Sequence, residues 1–294
     1  MKRFQVLVPT SLEEALAMLA GGGGEETLPL AGGTDILVQV KQGKRAPTRL
    51  VSLTGIPELV GIEVQSDEVR LGALTRIRDI ERSVLLHGSV PLLPYAASLL
   101  GSWQVRDLAT VGGNLANAAP SADMAPPLLV LEARVKAQGV TGVRGFPLEA
   151  LFRGPGRTCL EPGEILTDIS FRIPAGDWGA AYIKFSPRRA MDIAVVGVAA
   201  LVRREGDIIR EGRLALGAVA PTPIRVEEAE ALMAGQAPRP EVLREAARLA
   251  AVACHPIDDV RASAEYRRCL VEVLTMRALS EAWRNSGGEG GEPA

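Results

Sequence analysis

TVGGNLANAAPSADMAPPL, from Thr110 to Leu128, sets two glycines and an asparagine directly after an apolar turn, then small residues and one aspartate. A stretch nearer the start, LPLAGGTDILV from Leu28 to Val38, repeats the design: an apolar run, a glycine pair, then polar side chains. Glycine lets the main chain approach a ligand closely and also adopt positive φ. A pyrophosphate is best held by backbone N–H groups aimed inward. AGGTD and TVGGN therefore read as two halves of one anion cradle, with Thr34, Thr110 and Asn114 adding side-chain donors. The competing reading makes each glycine pair an ordinary turn. The spacing differs from the G-x-G-x-x-G turn of dinucleotide-binding Rossmann domains, and no G-x-x-x-x-G-K-[ST] run is present. Asp35 would repel a phosphate unless it points away, and it could instead cap a helix beginning at Ile36. Asp123 reads either as an exposed N-cap or as a carboxylate accepting from a sugar hydroxyl.

Composition narrows the chemistry. The chain has 294 residues, 47% of them hydrophobic and 23% charged, an ordinary globular balance with room for two or three lobes. A net charge of −2, with basic residues in scattered pairs, argues against a nucleic-acid partner. No apolar run reaches the ~20 residues of a membrane span, and the start lacks the features of a signal peptide, so a cytoplasmic protein is expected. Cys159, Cys254 and Cys269 are too dispersed for a disulfide framework or an iron–sulfur site, and His87 and His255 show no metal spacing. An enzyme with this inventory needs a cofactor to carry its chemistry.

The pattern along the chain is α+β in three pieces. SLEEALAMLA opens with Ser11 as N-cap and Glu14 three residues on, a capping box. LPLA (28–31) and RLVSL (49–53) are strands, giving a βαβ-like lobe over residues 1–55. A second lobe over 56–176 has a strand ending near Leu74, a helix in 90–101, a loop at 110–119, a helix after Asp123, and strands in ARVKAQG and EILTDISFRIP. A third piece over 177–286 has three strands of an antiparallel meander and helices near 239–254 and 262–284, before a disordered tail at 287–294.

AGGTDILVQVK, LGALTRIRDI, VRDLATVGGNLANAAPSAD, EILTDISFRIP and YIKFSPRRAMDIAVVGVA stand in order and at separations that resemble the FAD-binding subunit of the molybdenum hydroxylases. That family includes the medium chain of aerobic carbon monoxide dehydrogenase and the FAD domain of xanthine dehydrogenase. The resemblance implies a two-lobed FAD-binding fold of the vanillyl-alcohol-oxidase type, followed by a three-stranded antiparallel sheet with helices. It implies that Ala31, Gly32, Gly33, Thr34, Asp35 and Ile36 form one pyrophosphate loop, and Thr110, Val111, Gly112, Gly113 and Asn114 the other. Asp123 matches an acidic residue at the adenosine end of FAD, Leu166 an apolar residue lining the flavin site, and Lys184 a lysine near the isoalloxazine edge. Neither histidine falls in a binding loop, so FAD is expected to be non-covalent. Met191 stands where the xanthine dehydrogenase relatives carry an acidic residue near the flavin.

The resemblance further implies an electron exit. A large partner subunit would carry the molybdenum cofactor and a small one two [2Fe–2S] clusters, with a dimer of heterotrimers as the family habit. Two other readings stay open: a self-contained flavin oxidoreductase of the same fold, and a non-catalytic nucleotide-binding module.

Overall fold

The protein is described from a computed structural model covering residues 3–22, 26–188 and 191–288. Its first lobe runs β1 (Gln5–Leu7), α1 (Leu12–Ala20), β2 (Thr27–Leu30), α2 (Ile36–Lys41) and β3 (Arg49–Ser52), and the strands form a parallel sheet of order β1-β3-β2. Parallel neighbours need a crossover, and each helix supplies one. The Ser11 hydroxyl accepts the N–H of Glu14 at 3.2 Å, as the capping box predicts. The Glu14 carboxylate reaches back to the N–H of Thr10, at 2.7 Å, rather than to that of Ser11. Ala15, Leu16 and Leu19 then pack with Val51 of β3 in a small separate core.

The second lobe contains β4 (Ile62–Gln65) and β5 (Glu68–Gly72), followed by a run of short helices. These are α3 (Ile77–Arg82), α4 (Val84–Ser89), α5 (Leu92–Ser98), α6 (Trp103–Leu108), α7 (Val111–Ala116) and α8 (Ala125–Val130). After them come β6 (Arg134–Gly139), β7 (Gly142–Pro147), a small hairpin of β8 (Phe152–Gly154) and β9 (Arg157–Thr158), and β10 (Ile165–Arg172). The main sheet is antiparallel in the order β4-β5-β10-β6-β7. Its register slips between Leu166 and Asp168, where the Thr167 carbonyl turns to accept the N–H of Ala73 at 2.9 Å. That irregularity joins the sheet to the segment leading into α3.

Two expectations are corrected in this lobe. The stretch expected as a loop at 110–119 is largely helix, because Thr110 is an N-cap whose hydroxyl accepts from Gly113 and starts α7. The helix expected to start at Asp123 starts at Ala125, with Met124 in the N-cap position.

The third lobe is an antiparallel sheet of β11 (Asp177–Phe185), β12 (Val196–Glu205), β13 (Ile208–Gly217) and β14 (Ile224–Arg225). It is followed by α9 (Glu227–Met233), α10 (Pro240–Ala253) and α11 (Ala264–Asn285). The sequence predicts three of these strands; β14 is too short to show an alternating pattern. Tyr182, Ala199, Leu201 and Ala215 of this sheet belong to the same core as the second lobe, so the two are continuous. The opposite face packs on α10 and α11. Of the tail expected to be disordered, residues 289–294 lie outside the described residues.

Arg267 of α11 ties this lobe together. Its guanidinium, 2% exposed as a residue, donates to the carbonyls of Val195 (2.7 Å) and Ala218 (3.2 Å) and to Asp259 (2.7 Å). Burial would raise the Asp259 carboxyl, but the N–H of Arg261 and the Arg267 guanidinium outweigh it and bring it down to about 2. A lowered folded value means stability that is present above the ordinary 3.8 and lost as pH falls from there through about 2. Arg267→Met should cost about 2–4 kcal/mol, less than for a wholly buried pair because Asp259 keeps some contact with water. Denaturant unfolding at neutral and acid pH checks both points: the variant should be less stable at pH 7 and lose less stability on acidification.

Candidate functional site

A cavity of about 600 Å³ opens between the first two lobes, and residues of the third lobe border it. Gly32 brings the first lobe onto its wall: a Cβ there would lie 1.8 Å from the carbonyl oxygen of Leu108, at the end of α6. No other residue type fits that contact without parting the lobes. Gly33 follows with φ +74°, a left-handed turn that leads the chain into α2. Among the described residues, none of the N–H groups from Gly32 to Ile36 has a hydrogen-bond acceptor; the next, that of Leu37, donates to the Gly33 carbonyl at 3.1 Å. All of Ala31 to Ile36 line the cavity. A row of unanswered backbone donors on a concave wall is an anion nest.

The second glycine stretch has its N–H groups engaged within the protein. The N–H of Val111 donates to Thr75 (3.0 Å), that of Gly112 to Ala73 (2.8 Å), and that of Asn114 to Thr110 (2.9 Å), in each case to a carbonyl. The Gly113 N–H is taken by the Thr110 hydroxyl at 3.1 Å. The backbone donors of TVGGN, expected to face a pyrophosphate, are engaged within the protein in this structure by helix and cap. Gly112 is small because a Cβ would come within 2.7 Å of the Ala73 carbonyl oxygen. Thr110, Gly112, Gly113 and Asn114 still line the cavity as a wall, whereas Val111 is fully buried in the core. The Asn114 amide oxygen accepts the N–H of Met124 at 3.4 Å.

Two side chains of α2 hold the lobes together across the same wall. Asp35 occupies the N-cap position but makes no capping bond. Its carboxylate accepts instead from the Asn117 amide at 3.1 Å, and Gln39 donates to the Asn117 oxygen at 3.2 Å. Asn117 caps the C-terminus of α7, so this clasp joins the ends of both glycine stretches. Sequence reasoning missed Asn117 and Gln39, since nothing in their spacing marks them.

Asp123 is not an exposed N-cap. It is 7% exposed, lines the cavity, and accepts from the Lys184 ammonium (2.8 Å) and the Tyr182 hydroxyl (3.1 Å). Lys184 also donates to the Leu99 carbonyl at 3.0 Å. Burial pushes the Asp123 carboxyl up, while the Lys184 charge and the two donors oppose that rise. Burial, with the Asp123 charge beside it, pushes the Tyr182 hydroxyl well above its ordinary value. Lys184 and Asp123, matched by the resemblance to the isoalloxazine edge and the adenosine end of FAD, stand together here in a 2.8 Å ion pair. Tyr182 went unnoticed, although the strand period of AAYIKF places it on the same face as Lys184.

Leu166, 5% exposed, lines the cavity from the irregular end of β10, and Leu100, Gly101 and Val105 line it too. Met191, with φ +54°, borders the cavity with Asp192 and Ile193, and its N–H donates to the Gly101 carbonyl at 3.2 Å. Neither His87 nor His255 lines it. Among the described residues no group of three His, Cys, Asp or Glu side chains could hold a metal ion, and no helix is long and apolar enough to cross a membrane.

Comparison with known proteins matches residues 2–175 to the family described as the FAD binding domain in molybdopterin dehydrogenase. Residues 181–282 match the CO dehydrogenase flavoprotein C-terminal domain. The chain is 34% identical to the carbon monoxide dehydrogenase medium chain of Hydrogenophaga pseudoflava, covering 96% of this chain and 97% of that one. It is also 34% identical to the xanthine dehydrogenase FAD-binding subunit of Escherichia coli O157:H7, covering 95% and 96%. The structure of carbon monoxide dehydrogenase from Hydrogenophaga pseudoflava superimposes with a TM-score of 0.94 over 97% of this chain and 98% of that one. Quinoline 2-oxidoreductase from Pseudomonas putida 86 gives 0.91 at 27% identity, over 97% and 99%.

Gly32→Ala should part the lobes at the Leu108 carbonyl, costing about 1–3 kcal/mol as overpacking does. Thermal unfolding and flavin content check it together: a lower midpoint with loss of bound FAD is expected.

Proposed function

This chain belongs to the FAD-binding subunits of the molybdopterin dehydrogenases, and we propose that it is the electron exit of its complex. In this reading it takes electrons from [2Fe–2S] clusters of a small partner subunit and passes them to an external acceptor. A large partner carries the molybdenum cofactor, the assembly is a dimer of heterotrimers, and it works in the cytoplasm. The observation that carries the reading is the row of unanswered N–H groups from Gly32 to Ile36 on the wall of a cavity of about 600 Å³. A dinucleotide cofactor fits such a site: its pyrophosphate needs backbone donors, and its length needs a cleft between lobes.

When bound, FAD supplies the capacity to accept and release electrons that the side chains lack. The chain's own residues bind, orient and shield it. The N–H groups of Gly32 to Ile36 would hold the pyrophosphate, and the Thr110–Asn114 helix would stand as the facing wall. Asp35, drawn to Asn117, keeps its carboxylate engaged away from the anion and holds the lobes closed. Leu166, Leu100 and Val105 would exclude water from the flavin, which strengthens every electrostatic contact there.

Asp123 and Lys184 act as one unit, so both are assigned to the flavin end, with Leu166, rather than Asp123 to the adenosine end. Asp123 has acceptor capacity left on both oxygens for a cofactor N–H or hydroxyl. The exclusion of both histidines from the cavity supports non-covalent binding.

The full chain should release FAD on acid treatment at about one per chain, and gentle purification from its native cell should bring down subunits containing molybdenum and iron. A chain that is colourless and refuses added FAD would overturn the reading. FAD-replete chain with no such partners would favour a self-contained flavin oxidoreductase. Asp123→Ala should weaken FAD by about 1–3 kcal/mol, measured by fluorescence titration, because it also strands a buried Lys184.

A further inference from the structure

We propose that Tyr182 is a positioning residue that orients the cavity carboxylate of Asp123 and, through it, tunes the bound flavin. The inference rests on the reading of the cavity as the FAD site. Tyr182 and Lys184 lie on β11 at alternate positions, so their side chains leave the same face of the sheet. The hydroxyl donates to one oxygen of Asp123 at 3.1 Å and the ammonium to the other at 2.8 Å. Each oxygen thus takes one donor from a single rigid strand, and the plane of the carboxylate is set by both. Its remaining lone pairs are the ones a cofactor meets.

The neighbouring strand makes room for this arrangement. Gly197 of β12 pairs with Lys184, and a Cβ on it would come within 2.9 Å of the Tyr182 hydroxyl oxygen. The hydroxyl therefore sits in a place from which the sheet has withdrawn a side chain. Tyr182 is 2% exposed within the core shared by the second and third lobes, and among the described residues Asp123 is its hydroxyl's hydrogen-bond partner. A phenylalanine would fill the ring's volume equally well, so the hydroxyl contributes to Asp123 rather than to packing.

Without it, one Asp123 oxygen loses its donor and the negative charge beside the flavin is less compensated. Adding electrons to the flavin is then less favourable, and the carboxylate is free to turn away from the cofactor.

Tyr182→Phe in the full chain tests this. The variant should fold and saturate with FAD, but its dissociation constant should rise about three- to tenfold, the loss of one net hydrogen bond. The midpoint potential of its bound flavin should shift to more negative values. Gly197→Ala, which keeps the tyrosine but crowds its hydroxyl, should shift both quantities in the same direction. Tyr182→Phe added to Asp123→Asn should do no further harm. Unchanged affinity and midpoint in Tyr182→Phe, or an effect fully additive with that of Asp123→Asn, would overturn the role and leave Tyr182 as packing. A wild-type chain that binds no FAD would instead overturn the reading on which the role rests.

Discussion

The carbonyl oxygen of Leu108 occupies the space that a side chain on residue 32 would need. The glycine wall of the cavity is organised around that contact. Gly32 sits flush on the end of α6, Gly33 turns with positive φ, and the chain enters α2 with its first N–H groups unanswered. The same apposition brings α2 within reach of Asn117, so the clasp of Asp35 and Gln39 closes from the first lobe onto the second. One missing Cβ thus lets the lobes meet where the free donors and the clasp both lie.

The surroundings of Asp123 depend on a different device. The core of the second lobe continues into the third-lobe sheet, and that continuity carries Tyr182 and Lys184 to Asp123. An ionised carboxylate there would be costly alone, and one cation with two oriented donors offsets the cost. Burial raises the Asp123 carboxyl and its two partners oppose the rise without cancelling it, at a residue that lines the cavity. A flavin carrier needs such a fixed environment more than it needs an acid or base of its own.

How much of this was legible in the sequence varied with the kind of signal. AGGTD, a glycine pair between a strand and a helix, lines the cavity with its N–H groups left without acceptors among the described residues, the arrangement its letters suggest. TVGGN carries the same letters, yet its glycines answer close contacts within the protein, Gly112 with Ala73 and Gly113 with the Thr110 cap. A glycine announces close approach but not what approaches. Asp123 read as either an N-cap or a ligand group; its partners lie far along the chain on β11, beyond any local pattern. Strands as short as β1 and β14 have too few residues to alternate. The long helices α10 and α11, by contrast, were legible near 239–254 and 262–284, within a few residues of where they stand.

The central claim is that the anion is held by the Gly32–Ile36 backbone and that the Thr110–Asn114 helix is only a wall. Amide hydrogen exchange of the full chain, with and without FAD, tests it residue by residue. The account predicts that Val111 to Asn114 are already protected in the free chain and change little, while Gly32 to Ile36 exchange fast and become protected on binding. Equal new protection in both stretches, or protection confined to 111–114, would contradict it.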